Sequence, residues 1–341
     1  MKIMIHVKNK EIIDNYKNFL INGYDEKIKY SKEIRFMIEN FVNNNWEVYL
    51  SCIDCLDYNN NIWIELYNVN NNKHINLNIT EVNNEIDVMI IRVIGSIEGN
   101  FNNVQKYLNY LIDNYKGIVL NNPKAMLKGM TKHYLNEVNK EELKEIGISL
   151  IPTDIYNNNI KYDDLINNYN DVNKYLIKPV SGELSNSLSN LENVTEEWLR
   201  YKEDKVKGWV VQPIMNEIWN GEYQILFLNK NVIYAQQKVY KKDEGNVPNQ
   251  KSRVLEKYYP SELEVETIKK LIDYFSKFYN IDINICRIDF MKDDKGQPIL
   301  LEFEMVNPGF FIGYMESDDK DILNIINNIR NYCENQIKNS V

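Results

Sequence analysis

Four side chains in the last sixth of this 341-residue chain are spaced for charge-assisted chemistry. Arg287 and Asp289 lie two residues apart in one apolar run, and Glu302 and Glu304 lie two apart in the next. Alternate side chains share a face of a β-strand, so each pair points one way if its segment is extended. Turn residues from Asp293 to Gly296 predict a hairpin between the two runs. In the right register, three carboxylates and one guanidinium meet on one face. Hard oxygen donors on strands suit Mg2+, which keeps waters and takes its other ligands from substrate phosphates. Arg287 beside them would neutralise charge on a transferring phosphoryl group. The competing reading is a solvated polar face with no chemistry, since three acids flanked by Ile288, Phe290, Leu300, Leu301 and Phe303 also fit a solvent-facing antiparallel strand.

Two further segments have useful residue types. Lys178 ends the apolar run Tyr175–Ile177 and opens through Pro179 into a Ser/Asn/Gly loop at 181–189. A lysine there can reach a phosphate while backbone N–H groups cradle it. The apolar run Trp209–Val211 ends in Gln212, Pro213, Ile214 and Met215, with Glu217 and Glu222 following. Such a strand end can offer backbone contacts to a purine, and a nearby acid can hold a ribose. Each segment by itself is also no more than a strand and a turn.

The elements that must position these groups read as a mixed α/β (α+β) chain. Residues 2–7, 46–51 and 87–92 predict strands, and 32–44 and 104–115 predict amphipathic helices with apolar residues at helical spacing. Segments 62–67 and 74–79 predict a hairpin. This is an open βαβ lobe over residues 1–118. The remainder, 119–338, divides into a smaller lobe over about 133–215 and a C-terminal lobe over about 216–338. The latter holds paired strands at 223–228 and 232–240, a long exposed loop at 241–259, and a helix begun by Ser261 and Glu264 as a capping box. A helix at 124–137, a strand at 148–153 and a last helix at 319–337 complete the expectation.

Composition narrows the function classes. Hydrophobic content of 44% with 26% charged residues is globular, and the net charge of −9 disfavours nucleic acid and anionic membrane surfaces as partners. The N-terminal apolar stretch is too short for a signal peptide, so a cytoplasmic location is expected. Cys52 and Cys55 form a C-x-x-C without a second Cys or His pair, which favours core cysteines over a zinc site. His6, His74 and His133 are scattered. Asn-rich patches such as Asn59–Asn61 read as plain loops.

In order, Asn121-Asn122-Pro123, Lys132, Lys178-Pro179, Gln212-Pro213, Glu222, Lys238, Arg287-x-Asp289 and Glu302-x-Glu304 with Asn307-Pro308 form a set. That set resembles the ATP-grasp superfamily, in its glutathione-synthetase-like branch, over residues 87–312. The resemblance implies an ATP-grasp fold, with an N-terminal lobe preceding two lobes that sandwich ATP. It implies an ATP-dependent carboxylate–amine ligase that forms amides through an acylphosphate and releases ADP and phosphate. Lys132 and Lys178 would contact the nucleotide phosphates, Gln212 to Met215 would line the adenine, and Glu217 or Glu222 would face the ribose. Lys238 would sit near the γ-phosphate, Arg287 would stabilise the transferring group, and Arg253 would contact substrate. Asp289 and Glu302 would bind Mg2+ (two ions, with Mn2+ a substitute), with either Glu304 or Asn307 as the last ligand.

The Glu-x-Glu form departs from the usual Glu-x-Asn and resembles specialised amide-forming enzymes, including the cycloserine-forming type. Small carboxylate and amine substrates are expected, with Arg92 a candidate carboxylate contact or a surface arginine, and a homodimer is compatible. The alternatives are an ATP-grasp ligase acting on a ribosomal peptide and a non-catalytic nucleotide-binding regulator.

Overall fold

The computed structural model describes residues 1–14, 16, 29–53, 56–57, 63–95, 97–181, 188–240, 253–316 and 319–340. Cys55, Asn59–Asn61 and most of the two expected loops, 182–187 and 241–252, lie outside the described residues.

The chain begins with a sheet whose central strands are apolar on both faces. β1 (Lys2–Val7) runs parallel to β2 (Glu47–Cys52) on one side. Further along the chain come β3 (Leu56–Asp57), β4 (Trp63–Asn68), β5 (Lys73–Asn78), β6 (Val88–Ile91) and β7 (Ile118–Leu120). The order is β3-β4-β2-β1-β6-β7, with β5 forming the expected hairpin on β4. Ile3, Ile5 and Val7 pack under helices Lys29–Asn43 and Lys320–Ser340, while Met4 and Met89 pack under helix Phe101–Asn114. Helices on both faces explain why β1 and β6 lack hydrophobic alternation. The same core takes in Leu226, Ile233 and Phe310 to Ile312, so the first lobe is welded to the last.

The expected helix over 124–137 is two short ones, Pro123–Gly129 and Tyr134–Glu137. Pro123 at the first turn, behind the Asn122 cap that accepts the Lys124 N–H at 3.0 Å, sets where the first starts. Gly129 lets it press on the end of the last strand: a Cβ there would lie 2.8 Å from Met305 Cβ. β8 (Ser149–Leu150) is shorter than the strand expected at 148–153, because the chain then leaves one sheet to enter another.

That second sheet contains β9 (Asp154–Tyr156), β10 (Tyr175–Pro179), β11 (Ser189–Asn190) and β12 (Trp209–Pro213), antiparallel in the order β11-β10-β12-β9. Its core of Leu165, Ile177, Leu191, Leu199, Trp209 and Val211 is separate from the others. Tyr134, Leu143 and Ile148, in the stretch read as the start of the smaller lobe, instead fill the core of the third sheet.

The third sheet has β13 (Glu222–Leu228), β14 (Asn231–Val239), β15 (Val254–Lys257), β16 (Ile285–Lys292) and β17 (Pro298–Glu304), in the order β15-β14-β13-β16-β17-β8. β15 is a correction to the long loop expected at 241–259: its last part pairs with β14. Helix Glu262–Tyr279 opens with the expected capping box and covers one face through Ile268, Leu271, Ile272 and Phe275, whereas Phe278 near its end is 46% exposed. The opposite face carries the polar side chains.

Candidate active site

The hairpin register is the one the spacing required. Arg287 pairs with Glu304 and Asp289 with Glu302 across β16 and β17. The register then shifts, because Phe290 pairs with Leu300 and leaves Leu301 as an extra residue. Such a bulge re-aims side chains. Strict alternation puts Leu301 on the face opposite Glu302, yet both line one cavity here.

That cavity, of about 420 Å³, lies where the three sheets meet. Its size is that of a small-molecule site. One end is apolar, lined by Ile151, Leu176, Ile214, Met215, Ile218 and Met291. The Gln212 side chain is turned to Thr153, donating to Oγ1 at 2.9 Å. The middle and far end are charged. Six cations (Arg92, Lys132, Lys178, Lys238, Arg253, Arg287) and five acids (Glu33, Glu222, Asp289, Glu302, Glu304) line it. In a chain of net charge −9, this is a local reversal of sign.

Most of these charges are paired with one another. Arg287 donates from Nε to Asp289 Oδ1 at 2.6 Å and from Nη2 to Oδ2 at 2.8 Å. Lys132 Nζ lies 3.0 Å from Glu302 Oε1. Lys238 Nζ lies 2.5 Å from Glu222 Oε1, and Tyr240 donates to Oε2 at 2.6 Å. Glu304 Oε1 accepts the backbone N–H groups of Val306 and Asn307 at 2.8 and 3.1 Å. Arg92 is no surface arginine: it forms a two-point ion pair with Glu33, and its guanidinium stacks 4.1 Å from the Phe310 ring.

Burial and neighbours divide the ionisations. Burial pushes Asp289 upward, against the pull of Arg287, and burial with the nearby Glu302 raises Glu304. Burial also opposes the charge of Glu302, but Lys132, Lys178 and Arg287 outweigh it and hold the carboxyl at about 2. Burial opposes Glu222 as well, where Lys238 and Tyr240 win and lower it. Lys178 is lowered to about 8, chiefly by burial and then by repulsion from Lys132. The site therefore contains carboxylates of unequal basicity beside a lysine less basic than an exposed one.

Of the residues expected to contact nucleotide, metal or substrate, all but Glu217 line the cavity. Glu217 sits in the short helix Asn216–Asn220 outside the lining, while Glu222 lies inside, engaged with Lys238. Arg253 is at the rim, donating to Tyr314 Oη at 3.4 Å. Asn307 is tied to the first lobe: Oδ1 accepts the Ile94 N–H at 2.9 Å and Nδ2 donates to Gly95 O at 3.4 Å. Sequence reasoning missed Glu33, Gln224, Gln236 and Tyr240. Gln224 and Gln236 share the alternation of Glu222 and Lys238 on β13 and β14, and Tyr240 continues it one residue past β14, a signal available from spacing. Glu33 comes from a distant helix and gives no such signal.

Among the described residues, no group of three His, Cys, Asp or Glu side chains is arranged to hold a metal ion by itself. The donor set of Asp289, Glu302 and Glu304 is nevertheless hard oxygen on rigid strands, and it fits Mg2+ that completes its shell from water and phosphate. Asp289 and Glu302 pair with Arg287 and Lys132, while Glu304 accepts backbone N–H groups. No described helix is long and apolar enough to cross a membrane.

No family profile and no curated protein matches the chain. Solved structures do. A D-cycloserine synthetase aligns over 98% of this chain and 100% of its own, with a TM-score of 0.65 at 12% identity. A macrocyclase from Microcystis aeruginosa, bound with a precursor peptide, aligns over 97% and 100% at a TM-score of 0.58 and 12% identity. A D-alanine–D-alanine ligase from Bacillus anthracis, complexed with ATP, aligns over 100% of both chains at 0.54 and 14%. Others bear the ATP-grasp name in words, among them a ligase in complex with ADP and peptides. At these identities the likeness speaks for architecture, and over the whole length of the chain that architecture is the ATP-grasp fold.

Proposed function

We propose that the chain is an ATP-dependent carboxylate–amine ligase working through an acylphosphate. The observation that carries this reading is the cavity itself, where Lys132, Lys178, Lys238 and Arg287 stand over Asp289, Glu302 and Glu304 beside an apolar end. Adenine fits the apolar end between Ile214, Met215, Met291 and Leu301. The triphosphate runs toward Lys178 and Lys132. Asp289, Glu302 and Glu304 hold Mg2+ there, and Mn2+ can replace it. Bound metal supplies charge neutralisation on the phosphate oxygens. Asn307, held to Ile94 and Gly95, aligns the lobes rather than serving as a ligand.

In the first step a substrate carboxylate oxygen attacks the γ-phosphorus and ADP leaves. Arg287 and Lys238 neutralise the charge spread over the transferring group. In the second an amine attacks the acyl carbon, inorganic phosphate departs and the nitrogen loses a proton. Holding both substrates in one cavity supplies the alignment. Arg92, Glu33, Phe310 and Arg253 form the end where the acceptor binds. No covalent protein intermediate is required. A soluble, cytoplasmic setting goes with this reading.

The test is nucleotide turnover by purified protein with ATP and Mg2+, against pools of amino acids, small carboxylates and peptides, resolving ADP, AMP and phosphate. ADP plus phosphate, stimulated by one pool, is the expected result and names the acceptor class. AMP plus pyrophosphate would replace the acylphosphate route with adenylation. Absence of nucleotide binding would sink the reading.

A further inference from the structure

Gln224 is an uncharged side chain set between Glu222 and Asp289, and both of its amide hydrogens are donated to them. It is 2% exposed. Across the sheet it pairs with Gln236 of β14 on one side and Asp289 of β16 on the other. Its Oε1 accepts from Gln236 Nε2 at 2.9 Å. Its Nε2 donates to Asp289 Oδ2 at 2.6 Å and to Glu222 Oε1 at 3.1 Å. The amide orientation follows from its partners, because the reverse one would aim a carbonyl oxygen at two carboxylates. Gln236, at 4% exposure, thus locks Gln224, and Gln224 spans Glu222 and Asp289.

The arrangement separates two jobs. Glu222 is committed to Lys238 and Tyr240, and Asp289 to Arg287. A neutral donor between the acids holds both rotamers without adding charge. A cation at the same point would compete for Asp289 with whatever positive group that carboxylate serves. Partners one bond removed from a metal ligand control its orientation and basicity, and losing one typically costs about 10–100-fold in metal affinity.

We propose that Gln224 is a positioning residue that sets the Asp289 carboxylate for metal, with Gln236 as its anchor. The inference rests on the ligase reading above, which puts metal at Asp289. The experiment compares Mn2+ affinity in the presence of ADP with ADP affinity in the absence of metal, for the wild type, Gln224→Met and Gln236→Met. Wild-type protein that binds neither overturns both readings. Given wild-type binding, Gln224→Met is expected to weaken Mn2+ binding by about tenfold or more. Gln236→Met is expected to weaken it less, and metal-free ADP affinity to stay within about twofold. A merely structural role would not produce that split. Unchanged Mn2+ affinity in Gln224→Met overturns the proposal and leaves the ligase reading standing. If Gln224→Met does not fold, Gln236→Met, which touches neither acid, decides. A metal-selective loss in it supports the proposal and none overturns it.

Discussion

Lys132 Nζ and Glu302 Oε1 lie 3.0 Å apart, although one residue follows a short helix and the other sits on β17, 170 positions later. The Lys132 backbone N–H also donates to Val180 O at 2.9 Å, at the end of β10. One residue thus touches the acidic row of β17 and the end of the strand that carries Lys178 together. Arg287 and Asp289 repeat the pattern. In both pairs a prospective phosphate cation neutralises a prospective metal ligand. Phosphate or metal arriving alone strands a buried partner charge, whereas both together re-pair every group.

Metal and nucleotide binding should therefore be strongly coupled. ADP is expected to tighten Mn2+ binding, and Mn2+ to tighten ADP binding, by the same factor of about tenfold or more. Calorimetric titrations in both orders measure it. Independent binding would show that the ion pairs persist in the complex.

Replacing Asp289 by Asn keeps the shape but removes the charge that pairs with Arg287 and receives Gln224. Turnover of ATP is expected to fall by at least about a hundredfold, with the cooperative melting transition retained. Full activity in Asp289→Asn would remove it from the reacting centre.

Lys178 makes nucleotide affinity dependent on pH on the alkaline side. In the ligand-free site its value is lowered to about 8 from the ordinary 10.5, so above that point the lysine is neutral. Phosphate favours the charged form, and binding then requires proton uptake. ADP affinity is expected to drop about tenfold between pH 7 and about pH 9, and to flatten in Lys178→Arg. An unchanged alkaline profile in that variant would assign the dependence to another group.

His6 acts on stability instead. It is fully buried, stacks 5.4 Å from Tyr107 and lies 3.2 Å from Val93 O. Burial lowers it to about 4 from 6.5. The unfolded chain therefore binds the extra proton first. Stability from this group is complete above the unfolded value and is lost as pH falls toward the folded one. The loss is roughly 3 kcal/mol by about pH 4. Urea midpoints of wild type and His6→Phe at neutral and acid pH check this: the variant should show the smaller acid loss.

Gly129→Ala should destabilise by about 1–3 kcal/mol, since its Cβ would lie 2.8 Å from Met305 Cβ. The cost appears in the melting temperature. Because Met305 follows Glu304, weaker Mn2+ binding should accompany it, and a variant as stable as the wild type would mean the helix moves freely.

Much of the site was legible because strand alternation is a rule of covalent geometry. Spacing alone put Arg287 with Asp289 and Glu302 with Glu304, and a turn at 293–296 brought the pairs together. Near-continuous apolar runs also located the first lobe's central strands, and Ser261 with Glu264 marked where a helix begins. What the sequence could not hold was information carried by other segments. The Leu301 bulge is decided by how β17 fits both β16 and β8, so strict alternation failed there. Strand β15 exists because β14 offers it an edge. Glu33 meets Arg92 only because helix Lys29–Asn43 packs over the end of β6, burying two charges that compensate each other. Asn307 became a tie between lobes because the backbone of Ile94 and Gly95 needed partners there. Local periodicity determined which residues share a face. Tertiary packing decided which faces meet, since buried charges and backbone groups must find partners wherever the fold puts them.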